Sequence, residues 1–417
     1  MVANKVLTYT LLAMITLTPW NATAVHRFSL SNLLPKAKLS TFFGDNTRNP
    51  ADLAENLLVK GLLEITQGQN EKALNTIDQV IKATPNFKLA HLVRGDLLMA
   101  QGRSIQSFGN HGTNQSEQIK DLQDEARARI ESYLSQRNRK KIPDLIIAPN
   151  EQQSHLIVVD ADRFRLYLYK NEDGTLKYMA DYYVTVGKNG IIKQSEGDKR
   201  TPIGVYVARS KLTQPLPDFY GDGAFPLNYP NAWDKENNRN GSGIWIHGTP
   251  SNTYSRPPRA SDGCIVVTNQ DLQALTPYLQ SGKTPVIIAN HLNWLDNTDQ
   301  ATEKQKTLSA TIDQWLNDWR EQNTEAYLSH YSKEFSSNGI LYPQWAEHKQ
   351  RVQTGKPEVT ISLSDMSIFS YPDEQKQMAV VDFVQSFNSA TLKNKMYKRQ
   401  YWIQEDGHWK IIYEGAA

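Results

Sequence analysis

The sequence predicts a multidomain α+β protein with a helical N-terminal region, a mostly β middle domain and an α+β C-terminal domain. Three observations predict this order. Apolar residues recur at helical spacing over residues 52–101, short β-rich runs fill residues 150–292, and an amphipathic helix followed by further β-rich runs fills residues 305–417. A chain of 417 residues has room for two or three domains of about 100–200 residues each.

Composition narrows the class of protein. A hydrophobic fraction of 39% and a charged fraction of 22% exclude a largely disordered chain. The net charge of +2 argues against a general nucleic-acid binder, and the basic run at residues 137–141 is more typical of a solvated boundary. The histidines show no metal-ligand spacing, so we expect neither a metal nor another cofactor.

The first residues have the pattern of a signal peptide. Lys5 precedes an apolar run at residues 6–20, and the small residues Ala-Thr-Ala follow at 22–24. We therefore expect residues 1–24 to be a signal peptide cleaved near Ala24, which gives a periplasmic protein without a stable membrane span. The alternative is an uncleaved anchor, although the run is short compared with the about 20 residues that cross a bilayer.

Residues 25–149 are predicted to be a helical region. Ala73, Ile77 and Val80 recur on one helical face, and Pro85 marks a stop between helices. Residues 73–85 resemble the second half of a tetratricopeptide repeat. Only about one and a half repeats are visible, and because such repeats are stabilised by stacking we expect a small domain, not a long solenoid. A further amphipathic helix is predicted at residues 117–136.

The middle domain is predicted from six β-rich runs. They occupy residues 155–159, 165–169, 182–187, 204–208, 243–247 and 284–288. The sequence Asn-Glu-Asp-Gly at 171–174 is typical of a hairpin turn.

The C-terminal domain begins with a helix whose apolar face includes Ile312, Trp315 and Trp319. The predicted strands that follow occupy residues 359–363, 378–384, 398–403 and 409–413. A long helix followed by a curved antiparallel sheet resembles an NTF2-like cone-shaped domain. This resemblance implies a pocket for a glycan or protein ligand. The aromatic residues near the C-terminus are predicted to lie in the core, with a glycan-binding pocket as the alternative: Trp402, Trp409 and Tyr413.

Cys264 is the only cysteine of the chain, and its surroundings favour chemistry over packing. It lies in the run Ala-Ser-Asp-Gly-Cys-Ile, and His247 ends an apolar strand upstream, where its imidazole could accept the thiol proton. Gly263 permits a tight turn and the approach of a substrate carbonyl to backbone N–H donors. From spacing alone, a buried cysteine and a hydrogen-bonded core histidine remain an equal alternative.

Two motifs carry a resemblance to a known family. His247-Gly248-Thr249 with Ser261-Asp262-Gly263-Cys264, together with the upstream Thr-Pro-Ile-Gly at 201–204, resembles the signature of the L,D-transpeptidases over residues 152–290. The resemblance implies that Cys264 is the nucleophile, that His247 is the base and that the Gly248 carbonyl orients the imidazole. It also implies that Ser261, Asp262 and Gly263 lie against the substrate.

The chain departs from the family pattern at two positions. Asp262 stands where the family usually has histidine, and Val266 stands where it often has an arginine. Arg256 and Arg259 could replace that arginine in binding the substrate carboxylate, or could be solvated residues of a proline-stiffened lid. Asp262 would either oppose formation of the Cys264 thiolate or support it by holding His247 protonated.

The implied reaction is acyl transfer on the peptide stems of peptidoglycan. The Cys264 thiolate would cleave the bond between the diamino acid and the terminal D-alanine and leave a thioester. Transfer to an amine gives a transpeptidase, whereas transfer to water gives an L,D-carboxypeptidase that trims tetrapeptide to tripeptide stems. The domain order is similar to that of carboxypeptidases that set cell shape in helical bacteria. An inactive periplasmic scaffold is the third possibility.

Overall fold

The structure is a computed structural model that describes residues 50–102, 109, 117–134, 141–295, 298–353, 359–373, 375–389 and 392–416. The predicted signal peptide at residues 1–24 lies outside this part. The chain divides into two compact units, residues 1–126 and 127–417, which are described separately. None of the helices in the described part is both long enough and apolar enough to cross a bilayer.

The N-terminal unit is helical. It contains α1 (Pro50–Thr66), α2 (Asn70–Ala83), α3 (Lys88–Met99) and the start of α4 (Glu117–Leu134). Ala73, Ile77 and Val80 are fully buried along one side of α2, as their spacing predicts. The α2 helix ends before Pro85, because proline disfavours the helical conformation of the residue that precedes it.

Two short strands, β1 (Ile142–Pro143) and β2 (Ile146–Ala148), precede the middle domain, and the domain itself is mostly β. Its elements are β3 (His155–Asp160), β4 (Arg165–Glu172), β5 (Thr175–Tyr183), β6 (Val186–Gly187), β7 (Gly204–Val207), β8 (Ala224–Pro226), α5 (Ala232–Glu236), β9 (Trp245–His247), β10 (Arg259–Ser261), β11 (Ile265–Val266), α6 (Asn269–Leu275), β12 (Pro285–Ala289) and β13 (Trp294–Leu295).

A five-stranded sheet in the order β5-β4-β3-β12-β7 forms the body of this domain, and a three-stranded sheet in the order β11-β9-β8 carries the candidate site. Ile157 and Val159 of β3 lie in the same apolar core as Ile246 of β9. The alternate residues Leu156 and Val158 lie in a second core. Because both faces of β3 are covered, its sequence is continuously apolar.

The C-terminal domain is α+β. It contains α7 (Thr298–Arg320), α8 (Thr324–Ser329), β14 (Ser336–Ser337), β15 (Ile340–Leu341), α9 (Tyr342–Gln353), β16 (Thr360–Tyr371), β17 (Met378–Asn388), β18 (Lys393–Glu405) and β19 (His408–Ala416). Its antiparallel sheet has the order β19-β18-β17-β16-β2. The aromatic residues predicted for the core are buried: Trp402, Trp409 and Tyr413.

The segment at residues 142–148 differs from the predicted domain organisation. Residues 142–148 fall in the range predicted as helical, but they form β1 and β2, and Ile146 of β2 pairs with Phe369 of β16. The free edge of β16 is covered in this way, which removes an exposed sheet edge. The C-terminal sheet therefore takes its fifth strand from a segment that precedes the middle domain.

The middle and C-terminal sheets share the second apolar core. Trp233 of α5 stacks on Tyr401 of β18, with ring centroids 4.6 Å apart. The buried Arg399 makes a bidentate ion pair with Asp382, with both N···O distances 2.7 Å, and donates a third bond of 2.8 Å to the carbonyl of Val205 in β7. Packing and polar bonds thus join the two domains.

Candidate active site

Strand pairing brings the two predicted catalytic residues together. Strands β11 and β9 are parallel, and Val266 pairs with His247. This register places Cys264 beside Trp245 and, because side chains alternate along a strand, projects Cys264 and His247 from the same face. Cys264 as a whole residue is partly exposed, although its thiol is largely buried.

A tight turn presents Cys264. Gly263 has φ +125°, and a Cβ added there would lie 2.7 Å from the carbonyl oxygen of Arg200. Only glycine fits this conformation and this close approach. The buried Ser261 hydroxyl donates to the carbonyl of Cys264 at 2.6 Å and accepts the N–H of Gly263 at 3.1 Å.

These contacts change the expected roles of two residues. Ser261 and Gly263 were predicted to lie against the substrate, but the Ser261 hydroxyl is buried and makes both its bonds within the turn. The Gly263 N–H is used by Ser261, so it is not a free donor for an oxyanion. We therefore assign both residues to shaping the turn that carries the thiol.

The upstream Thr-Pro-Ile-Gly element supports the same turn. The Thr201 hydroxyl donates to the carbonyl of Gly263 at 3.0 Å and accepts the N–H of Gly187 at 2.9 Å. Thr201 is fully buried. The sequence motif indicated that this element belongs to the site, but the contact that explains it joins residues 62 positions apart.

His247 is fully buried, and its Nδ1 lies 2.7 Å from the carbonyl oxygen of Gly248, the contact that the family resemblance implies. A carbonyl can only accept, so Nδ1 carries the proton and Nε2 carries a lone pair. Nε2 is buried and has no hydrogen-bond partner among the described residues. Burial is the main reason that the pKa of His247 is lowered to about 4; the Arg256 charge acts in the same direction, and the hydrogen bond to Gly248 opposes both.

The thiol of Cys264 is also neutral. Burial raises its pKa to about 11, while the Trp245 N–H and the Arg256 charge act in the opposite direction. Its sulfur donates to the carbonyl of Gly243 at 3.2 Å. The resting site therefore holds a neutral thiol and a neutral imidazole.

Asp262 acts on the thiol and not on the imidazole. Its charge raises the pKa of Cys264, which is the first of the two effects considered for this residue. The second effect considered was that Asp262 holds His247 protonated. The lowered pKa of this imidazole disagrees with that effect. The Asp262 carboxylate is 64% exposed and lies 3.2 Å from the ammonium group of Lys188. Its position at the surface leaves it open to a substrate group.

The two candidate arginines have different surroundings. Arg256 is half-buried, donates to the carbonyl of Ala260 at 2.5 Å and lies over the ring of Phe219, 4.8 Å from its centroid. Its Nη1 is buried without a hydrogen-bond partner in the part of the chain described. Arg259 is exposed and lies 5.8 Å from the ring centroid of Phe164. Of the two, only Arg256 contributes to the pKa of Cys264 and His247.

Alkylation should report the protonation state of the thiol. Because Cys264 has a pKa near 11, its thiolate fraction rises tenfold per pH unit, and the rate of reaction with iodoacetamide should rise about 100-fold from pH 7 to pH 9. Asp262→Asn should increase the rate at each pH, since its charge raises the pKa. Mass spectrometry is unambiguous here because the chain has one cysteine. A plateau below pH 8 would show a preformed thiolate.

The geometry defines a cysteine–histidine site on a mostly β domain. Residues 154–288 match the family model of the L,D-transpeptidase catalytic domain (YkuD), and residues 307–415 match that of the Cds6 C-terminal NTF2-like domain. The chain thus carries an L,D-transpeptidase family domain, as the sequence motifs predict, followed by an NTF2-like domain, as the order of its predicted elements indicates. Comparison with curated protein sequences gives no significant match.

Two solved structures are similar to most of the chain. Bd1075 from Bdellovibrio bacteriovorus is 28% identical with a TM-score of 0.58, and the match covers 67% of this chain and 98% of that one. The helical cell shape determining protein Pgp2 from Campylobacter jejuni is 27% identical with a TM-score of 0.58, and the match covers 66% of this chain and 95% of that one.

Proposed function

We propose that this protein is a periplasmic cysteine acyltransferase that acts on the tetrapeptide stems of peptidoglycan. The L,D-transpeptidase domain supports a peptidoglycan-related function. The proposal of cysteine acyl transfer rests on one observation: Nε2 of His247 has a free lone pair and lies on the face from which Cys264 projects. The periplasmic location rests on the signal-peptide pattern of residues 1–24.

The proposed reaction has two steps. As substrate enters, Nε2 of His247 takes the thiol proton, and the Cys264 sulfur attacks the carbonyl that joins the diamino acid to the terminal D-alanine. The C–N bond breaks, the imidazolium returns its proton to the leaving amine, and a thioester remains on Cys264. An amine of another stem or of a free D-amino acid then attacks the thioester and restores the thiol.

Hydrolysis of the thioester is the second candidate. It is favoured by the similarity to Pgp2, a helical cell shape determining protein. The protein would then be an L,D-carboxypeptidase that trims tetrapeptide to tripeptide stems for control of cell shape. An inactive scaffold is the third candidate, and the departures at Asp262 and Val266 favour it.

One product analysis separates these candidates. Purified protein is incubated with disaccharide-tetrapeptide, with and without a free D-amino acid, and the products are identified by mass. Cross-linked dimers or exchanged D-amino acids support transfer, whereas tripeptide with free D-alanine supports hydrolysis. Absence of any product from the wild type, with Cys264 unmodified, would support the scaffold. Cys264→Ala is the control for every product.

Arg256 is our proposed partner of the substrate carboxylate. Its Nη1 is buried without a hydrogen-bond partner among the described residues, and its charge lowers the pKa of Cys264, so Arg256 lies close enough to the site to meet a charged group. A hydrogen bond to a charged group contributes about 1.5–3 kcal/mol. Arg256→Gln should therefore raise KM for the tetrapeptide about 10-fold or more. Arg259→Gln, three positions along the same loop, is the matched control and should change KM less than about 2-fold. Equal effects of the two variants would refute the assignment.

The C-terminal domain has a cavity of about 180 Å³, a volume that suits a sugar ring. Trp319 and Phe387 line it with rings 6.3 Å apart, and the buried amides of Gln353 and Gln385 have atoms without partners among the described residues. Aromatic rings beside free amides match the apolar faces and hydroxyl groups of a glycan. We infer that this pocket binds the glycan strand.

Titration with a soluble disaccharide fragment of peptidoglycan, monitored by calorimetry, tests the pocket. Gln385→Leu should weaken binding about 5-fold or more, because it removes the amide that the sugar hydroxyls would meet. Gln375→Leu, at an exposed position of the same domain, is the control. Equal affinities of wild type and Gln385→Leu would overturn the inference.

A further inference from the structure

A side chain outside both catalytic motifs holds the group that orients His247. Asn269 is the first residue of α6 and lies five positions after Cys264. Its Oδ1 accepts the N–H of Thr249 at 3.1 Å, and its Nδ2 donates to the carbonyl of Thr249 at 2.9 Å. One carboxamide therefore holds both backbone polar groups of the residue that follows His247-Gly248.

The bond to the Thr249 N–H fixes the Gly248 carbonyl directly. These two groups belong to the same peptide unit, which is planar and trans, so the N–H and the C=O point in opposite directions. With its N–H held by Asn269, this unit directs the Gly248 oxygen to Nδ1 of His247, 2.7 Å away. Rotation of the unit would break both bonds at once.

The same carboxamide packs on Gly248 itself. A Cβ added to Gly248 would overlap Oδ1 of Asn269, so the amide lies directly against the glycine. Oδ1 also accepts the N–H of Asp222 at 3.1 Å. This bond anchors the loop of Tyr220, whose ring centroid lies 5.1 Å from that of His247. Asn269 thus ties the carbonyl that orients the imidazole to the aromatic wall beside it.

We propose that Asn269 is the positioning residue that keeps the proton of neutral His247 on Nδ1 and leaves Nε2 free to accept the thiol proton. The hydrogen bond made by one ring nitrogen decides which tautomer is present. Without the Asn269 bonds, the Gly248 carbonyl is no longer held, and a proton on Nε2 would block proton transfer from Cys264. The consequence for turnover rests on the proposed function, whereas the tautomer does not.

The first measurement is the tautomer in the resting protein. Nitrogen-15 NMR of protein labelled in histidine, with the His247 signal identified by its absence in His247→Gln, distinguishes a protonated Nδ1 from a protonated Nε2. We expect Nδ1–H in the wild type and a mixture or a majority of Nε2–H in Asn269→Ala. Asn269→Asp keeps the two acceptor bonds and should retain Nδ1–H.

The second measurement is turnover of disaccharide-tetrapeptide. Asn269→Ala should lower kcat about 100-fold with KM changed less than about 3-fold, because the base is misplaced and the substrate contacts remain. Asn269→Asp keeps the bond to the Thr249 N–H that fixes the Gly248 carbonyl, but it places a carboxylate oxygen against the Thr249 carbonyl, so its kcat should lie between those of the wild type and Asn269→Ala. If Asn269→Ala does not fold, Asn269→Ser replaces it, and we expect the same loss of kcat.

Asn171→Ala is the matched control. Asn171 also makes three hydrogen bonds to backbone groups in this domain, to Asn150, Gln153 and Gly174. A similar loss of thermal stability is expected, with the Nδ1–H tautomer and kcat retained. If Asn269→Ala retains the Nδ1–H tautomer of the wild type, the proposal is overturned, whatever the turnover of the wild type or the variant. A changed tautomer in Asn269→Ala, together with a wild type that shows no turnover, would support the proposal while refuting the proposed function.

Discussion

Replacing His247 with glutamine is expected to lower the rate of D-alanine release from disaccharide-tetrapeptide about 10³-fold, within the range found for loss of a general base. The reason is the neutral resting state of the site. Because Cys264 has a pKa near 11, little thiolate exists at pH 7 unless a base removes the proton during the reaction. Cys264→Ala should release no D-alanine at all.

The pH dependence of the residual activity provides a second check. In His247→Gln the rate should rise about tenfold per pH unit above neutrality, because hydroxide then has to form the thiolate. His408→Gln, at an exposed hairpin position, is the control and should retain wild-type activity. Residual activity above about a tenth of the wild type would contradict the role of His247 as the base.

The longer strands of the middle domain were predictable because their signals are local, whereas the short strands β8, β10 and β11 and the helices α5 and α6 were not predicted. The β4–β5 turn shows this: Asp173 and Gly174 both have positive φ, which Asp and Gly adopt more readily than most residues. The L,D-transpeptidase domain was predictable because two motifs in the same order recur in a known family. These signals required no knowledge of distant contacts.

Elements whose structure depends on distant partners were not predictable. Strand β2 forms because the edge of β16, more than 200 residues away, accepts it. Helix α9 was not predicted, since only Gln353 along its length is buried and its apolar spacing is weak. Asn269 gave no signal, because its bonds to Thr249 and Asp222 depend on how two loops fold together.

Side-chain directions within loops also escaped prediction. Arg256 and Arg259 are equivalent in the sequence, but Arg256 is half-buried and its charge acts on the thiol, whereas Arg259 is exposed. The protonation state of Cys264 depends on a balance between burial, which raises its pKa, and the Arg256 charge, which lowers it. Such a balance requires three-dimensional positions and cannot be obtained from spacing.

The largest expected effect on stability is at the ion pair between the middle and C-terminal domains. Asp382→Asn should lower the free energy of unfolding by about 3–5 kcal/mol, because it leaves the charge of Arg399 buried and uncompensated. Both side chains are at most 5% exposed, so water cannot replace the lost carboxylate. Urea denaturation with linear extrapolation measures the loss.

An exposed pair provides the control for that experiment. Lys306 and Glu303 lie 3.0 Å apart, but their side chains are 66% and 73% exposed, so Glu303→Gln should cost about 0–1 kcal/mol. A loss below about 1 kcal/mol for Asp382→Asn as well would contradict the prediction, since the buried pair would then behave like a surface pair.

The double variant Asp382→Leu/Arg399→Met tests the physical reason for the loss. Replacing both members of a buried ion pair with apolar groups is often close to neutral, whereas removing one member leaves an unpaired charge. The Val205 carbonyl still loses its donor, at a cost of about 1–3 kcal/mol. We therefore expect recovery of about half of the loss measured for Asp382→Asn. No recovery would show that the destabilisation does not come from the uncompensated charge of Arg399.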